Sequence, residues 1–272
     1  MSGRVSGSGA AAAVAAPRVG LAAAIRAEVL KGRRAAPRKV ALVAPLPLCL
    51  LGLLSSGAMP GLGGAGDVGF ATYGWNYWYV LMLPVSVALM AASVANLDAR
   101  QALRPVLGLP VALARVWWAK VAYVLGLTFV ANLVMLAASC VASALGGVAP
   151  SPRAAATCAV LLTLAVSWMV PVGLALTTRA GTLAGIAVPL LAQLVLGFAV
   201  ASGDLWWALP MSVAMRIATP LLGVAPSGIP LAPGDAMGAI DAVWALGLLV
   251  AIAAVVLLSV AGAAWFSRRE AL

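Results

Sequence analysis

The chain has 272 residues, of which 64% are hydrophobic and 9% charged, with a net charge of +10 and a mean hydropathy of +1.09. A soluble domain carries about 25% charged residues, so this composition excludes a water-facing surface over most of the chain and makes lipid its main solvent. Histidine is absent, which removes Ser-His and Cys-His nucleophile pairs, His-ligated haem and most zinc sites.

Residues 1–20, rich in Ala, Gly and Ser, read as a disordered cytoplasmic tail without the continuous apolar core of a signal peptide. Residues 21–38 follow as an amphipathic interfacial helix. Leu21, Ile25 and Val29 repeat at i+4, Glu28 and Lys31 pair at i,i+3, and Arg26, Arg33 and Arg34 stay polar.

From residue 39 to 272 the sequence predicts an all-α integral membrane domain of six transmembrane helices with both termini cytoplasmic. A charge inside a span is disfavoured by about 2.5–3.5 kcal/mol. The long uncharged intervals 40–66, 68–97, 121–152, 154–178, 180–203 and 242–267 therefore mark the spans. Helices are expected near 40–58, 76–96, 118–144, 155–176, 182–202 and 243–265. Pro45 and Pro47 imply a kink or a start around Pro47 in the first. Between the second and third spans, 97–117 reads as a structured polar loop, with a helix started by Pro105 and broken by Pro110. The uncharged stretch 217–234 is too rich in Pro and Gly to span. Residues 203–241 are therefore expected to be a long apolar external loop, with a short helix around 205–218 at the interface or re-entering.

The basic residues set the orientation. With both termini inside, 15 of the 17 Lys and Arg residues are cytoplasmic and only Arg153 and Arg216 are external. The basicity is thus a topology signal and a headgroup contact rather than a nucleic-acid footprint. Eight of the nine tryptophans fall at predicted span ends, as an aromatic belt requires, and only Trp168 lies mid-span. Cys49, Cys140 and Cys158 lie in apolar stretches and read as small hydrophobes.

Within the spans, Thr128, Asn132, Ser139 and Ser143 share one face of the third helix. Thr163 and Ser167 do so on the fourth, and Gln193 sits on the fifth. They are candidates for a substrate pathway or, as the plainer alternative, for interhelical hydrogen bonds. Gly181 and Gly185 form a Gly-x-x-x-Gly pair that suits close helix packing. None of the three lysines follows a glycine, so no phosphate-binding loop is present and no cofactor is expected.

Three stretches resemble the ABC-2-type exporter permeases and, within them, the lantibiotic (bacteriocin) immunity permease subunits. They are Arg26–Arg34, the second-span start Trp75-Asn76-Tyr77-Trp78-Tyr79 with Leu83-Pro84, and Leu107-Gly108-Leu109-Pro110-Val111 running to Trp117-Trp118-Ala119-Lys120. Leu97-Asp98 departs from the pattern, where many relatives carry Glu. The resemblance implies a multi-pass protein of the bacterial cytoplasmic membrane and not an enzyme. It would be the permease subunit of an exporter of lantibiotic-like peptides or other amphipathic compounds. ATP would be hydrolysed on a separate cytosolic ABC ATPase subunit, and a second permease subunit would complete the pathway. Glu28, Lys31, Arg100, Arg104, Pro110, Arg115 and Lys120 are then the candidates for contact with the ATPase. Two other readings stand beside it: a non-transporting immunity or scaffold protein whose external Asp204, Asp235 and Asp241 hold a cationic peptide, and an ion-coupled transporter. The second is weakened because no Asp, Glu, His or Lys is expected within the spans.

Overall fold

The computed structural model describes residues 20–59, 69–99 and 112–268. Arg100, Arg104 and Pro110 lie outside the described residues, as does the 1–19 stretch of the expected tail. Among the described residues the fold is all-α, with six helices long and apolar enough to cross a membrane: Ala36–Ser55, Ala71–Asp98, Leu113–Ala144, Pro152–Ala180, Thr182–Ala201 and Ala242–Ser267. The second and fourth are the central pair, with 61% and 67% of their most apolar stretch buried. The first, fifth and sixth bury only 22%, 22% and 17% and so leave most of their surface facing away from the bundle.

Prolines decide where these helices bend. The first span breaks between Val43 and Leu46, at Pro45. Pro47 then falls in the first turn of Leu46–Ser55, where its missing N–H is no loss. The break at Pro45 and the restart at Leu46 are the kink and start expected around Pro47. In the fourth span, Pro171 cannot donate to the carbonyl of Ser167, and the helix interrupts there; the Val170 N–H takes that carbonyl at 3.0 Å instead. The second span begins earlier than the expected residue 76 and opens with two wide π-helical segments, Ala71–Asn76 and Trp78–Met82. The latter directly precedes Pro84, whose ring would clash with the Val80 carbonyl in a regular α-helix.

The aromatic residues do more than form a belt. Trp75, Trp78 and Trp117 sit at span ends as expected, yet they are buried and face neighbouring helices rather than lipid. Nor is the loop 203–241 draped on the surface. Its helices Pro210–Arg216 and Thr219–Leu222, and the turn between them, bury Val213, Met215, Ile217 and Leu222 in the bundle core. At the basic end the fourth and fifth spans join through Gly181 alone, at φ +91°. A Cβ on Gly185 would lie 1.8 Å from Thr177 Oγ1, so the two helices meet there at glycine distance.

Candidate functional site

The interfacial helix runs over Leu21–Lys31 and continues as a tighter turn, Gly32–Arg34. It turns Leu21 and Val29 outward and packs Ala24 and Glu28 against the bundle. The charged face, rather than the apolar one, is thus its docking face.

Glu28 bridges two cations: Oε1 accepts from Lys31 Nζ at 2.9 Å and Oε2 from Lys120 Nζ at 3.0 Å. Asp98, in the last turn of the second span, bridges the same two, at 3.2 Å to Lys31 and 2.5 Å to Lys120. The four side chains close a ring of alternating sign whose formal charge sums to zero. Glu28 and Asp98 are each 2% exposed, Lys120 5% and Lys31 30%, so only Lys31 has access to solvent. Burial alone would lower the Lys31 ammonium's pKa, but the hydrogen bond and charge of Glu28 and the charge of Asp98 outweigh it, and it stands above the usual lysine value.

Two further contacts hold the interfacial helix down. Arg38 donates to the Val29 carbonyl at 2.6 Å and to the Tyr123 hydroxyl at 3.3 Å. Gly32 approaches Tyr123 so closely that a Cβ there would lie 2.0 Å from the hydroxyl oxygen. The interfacial helix, the end of the second span and the start of the third therefore form one joint.

Of the residues expected to contact an ATPase, the structure gathers Glu28, Lys31 and Lys120. Arg115 lies in the first turn of the third span and is half-buried. The expectation of no Lys or Asp within the spans is corrected here: Lys120, which falls inside the expected 118–144 helix, is buried in the third span, and the second runs on to Asp98. Asp98 was the residue that sequence reasoning passed over. Its signal was its scarcity, since the segments on the basic side of the spans carry only Glu28, Asp98 and Glu270 as acids against 15 cations.

Five of the six candidate pathway residues hydrogen-bond to protein partners. Asn132 accepts from Trp78 Nε1 at 2.8 Å and donates to Thr163 Oγ1 at 2.9 Å, joining the second, third and fourth spans. Thr128 and Ser167 donate to carbonyls of their own helices, at 2.9 Å and 2.5 Å. Gln193 accepts from Trp168 Nε1 at 3.1 Å and donates to the Met211 carbonyl at 2.9 Å. Ser139 is buried with no hydrogen-bond partner among the described residues.

At the opposite end, Asn76 donates to the Ala225 carbonyl at 2.9 Å and tethers the external loop. Asp204, Trp206, Arg216, Asp241 and Trp244 line a cavity of about 300 Å³. Arg216 stacks on Trp206 at 4.7 Å. Burial lowers its guanidinium's pKa against the opposing charges of Asp235, Asp241 and Asp204.

Six apolar helices, two of them tied to the interfacial helix at the basic end by a largely buried ring of charge, define a multi-pass membrane domain. The sequence profile of the ABC-2 family transporter proteins matches residues 24–200, from the interfacial helix through the fifth span, and the chain belongs to that family. Neither a curated protein nor a solved structure matches it.

Proposed function

We propose that this chain is the permease subunit of an exporter that a separate cytosolic ABC ATPase subunit drives, and that it clears amphipathic, lantibiotic-like peptides from a bacterial cytoplasmic membrane. The observation that carries this reading is the Glu28–Lys31–Asp98–Lys120 ring. Asp98 closes the helix that leads into residues 100–111, and Lys120 lies near the start of the helix that leads out of them. A partner pressing on the Arg100, Arg104, Pro110 and Arg115 region would move the second and third spans and the interfacial helix as a unit. Coupling needs such a contiguous chain of contacts. Thr128, Asn132, Ser139, Thr163, Ser167 and Gln193 are proposed to contact the substrate when the spans separate, exchanging their present partners for polar groups of the peptide. The peptide class rests on the resemblance of the Trp75–Tyr79 and Leu107–Lys120 stretches to the immunity permeases. A second permease subunit is proposed to close the pathway.

Native-membrane purification tests this reading. Arg104→Glu and Arg115→Glu should reduce the co-purifying ATPase while leaving the chain's membrane content unchanged. Asp98→Asn should keep the ATPase bound but lose most peptide-stimulated ATP hydrolysis. Undiminished ATPase recovery in both charge-reversal variants, or peptide clearance that persists after ATP depletion, would refute it.

A further inference from the structure

On the lipid side of the bundle, the second half of the fourth span and the inner half of the sixth leave a groove of about 330 Å³. Pro171, Ala175 and Arg179 form one wall and Leu258, Ala261 and Trp265 the other. The gap has a sequence cause. Gly262 faces Trp117 of the third span so closely that a Cβ would lie 2.1 Å from its ring. The sixth span therefore packs on the third at this level, and the small Ala175 and Ala261 leave the space beside the fourth unfilled.

The groove's depth and charge indicate its occupant. From Pro171 to Arg179 is eight residues, or about 12 Å at the helical rise of 1.5 Å per residue. One leaflet of a hydrocarbon core about 30 Å thick is about 15 Å deep. The groove thus runs from the basic-side interface to near the midplane and stops. A transmembrane helix would need both leaflets. The lining is apolar up to its mouth, where Arg179 is exposed in the last turn of its helix and forms no ion pair among the described residues. Arg268 follows one turn beyond Trp265.

We infer that this groove binds one acyl chain of an anionic phospholipid from the leaflet on the chain's basic side, with the headgroup phosphate on Arg179. A headgroup of net negative charge supplies the anion that Arg179 lacks, whereas zwitterionic phosphatidylcholine brings its own cation beside the phosphate, and the acyl chain covers the apolar wall between Pro171 and Trp265. Basic pockets between helices on this side of a membrane suit anionic headgroups.

The test uses the full chain in phosphatidylcholine vesicles doped with phosphatidylglycerol or phosphatidylcholine carrying a photoreactive acyl chain. Adducts are mapped by peptide mass spectrometry. Phosphatidylglycerol should label 171–179 and 258–265 about fivefold more than phosphatidylcholine does, matching one cation near the surface. Arg179→Gln should bring the two to the same level, and Ala261→Leu should reduce labelling by both. Equal labelling by the two lipids in the unaltered chain would overturn the inference. So would a preference untouched by Arg179→Gln, or groove peptides that escape lipid and instead cross-link to a second copy.

Discussion

Asp98 carries its charge where a helix least favours it. It lies in the last turn of the second span, and Glu28 lies near the end of the interfacial helix, so both carboxylates face partial negative charge from helix C-termini. That opposition is worth only about 0.3–1 kcal/mol each, and the lysine bridges outweigh it. Removing one member of a buried ion pair strands its partner, at about 3–5 kcal/mol. Asp98→Asn should therefore destabilise the detergent-solubilised protein by about 3 kcal/mol, read as a lower melting temperature, because Lys120 keeps only Glu28. Asp98→Asn with Lys120→Met should cost less than the sum of the single changes. Strict additivity in that cycle would dismiss the ring as an energetic unit. The Lys31 arm has a pH signature. Its pKa is raised on folding above 10.5, so its contribution is fully present below that value and is lost only as pH rises through the higher folded value. Stability should show no loss from Lys31 between pH 7 and 9, and a Lys31→Met variant should lack the wild type's decline above about pH 10.5. A wild-type loss at pH 8 that Lys31→Met abolishes would contradict this assignment.

At the scale of elements, the external loop is held by two amides that stand on π-helical turns. Asn76 in Ala71–Asn76 donates to Ala225, and Gln193 in Ala192–Leu196 donates to Met211. Each wide turn sets its amide toward the loop backbone, a placement common at working positions in helices. Losing one such bond costs about 1 kcal/mol, roughly fivefold in local opening. Asn76→Ala should speed amide exchange near 223–231 by that factor, and Gln193→Ala should do so over 209–216. Exchange unchanged in both variants would mean that core packing alone holds the loop. Sequence reached the spans because exclusion of charge from lipid is a one-dimensional signal, readable from gaps between Lys, Arg, Asp and Glu. It also excluded a span over 217–234 from Pro and Gly density. The inward packing of Val213, Met215 and Ile217 was not legible, because an apolar loop beside lipid can face either lipid or protein. The same ambiguity hid the inward orientation of Trp75 and Trp78, which end-of-span position does not decide.

For the whole molecule, the candidate site was only half legible. Glu28 and Lys31 follow from i,i+3 spacing, whereas their link to Asp98 and Lys120 needs the interfacial helix folded back on two distant spans. The placement of that joint inside the cell depends on orientation, which the positive charges predict through their 15-to-2 imbalance between the two sides. Single cysteines in a background lacking Cys49, Cys140 and Cys158 test it directly, with a membrane-impermeant maleimide applied to intact cells. Ile229→Cys, in the external loop and 65% exposed, should label without lysis. Gly108→Cys, between the second and third spans, should label only after lysis. The ring also gives orientation a physical cause beyond counting charges. Glu28 and Asp98 together neutralise Lys31 and Lys120 without cancelling the flanking Arg26, Arg33, Arg34, Arg38 and Lys39, so the joint can be buried while a strongly cationic collar remains to hold this end on the inner side. Labelling of Gly108→Cys in intact cells would invert the orientation and remove the ring from any cytosolic partner's reach.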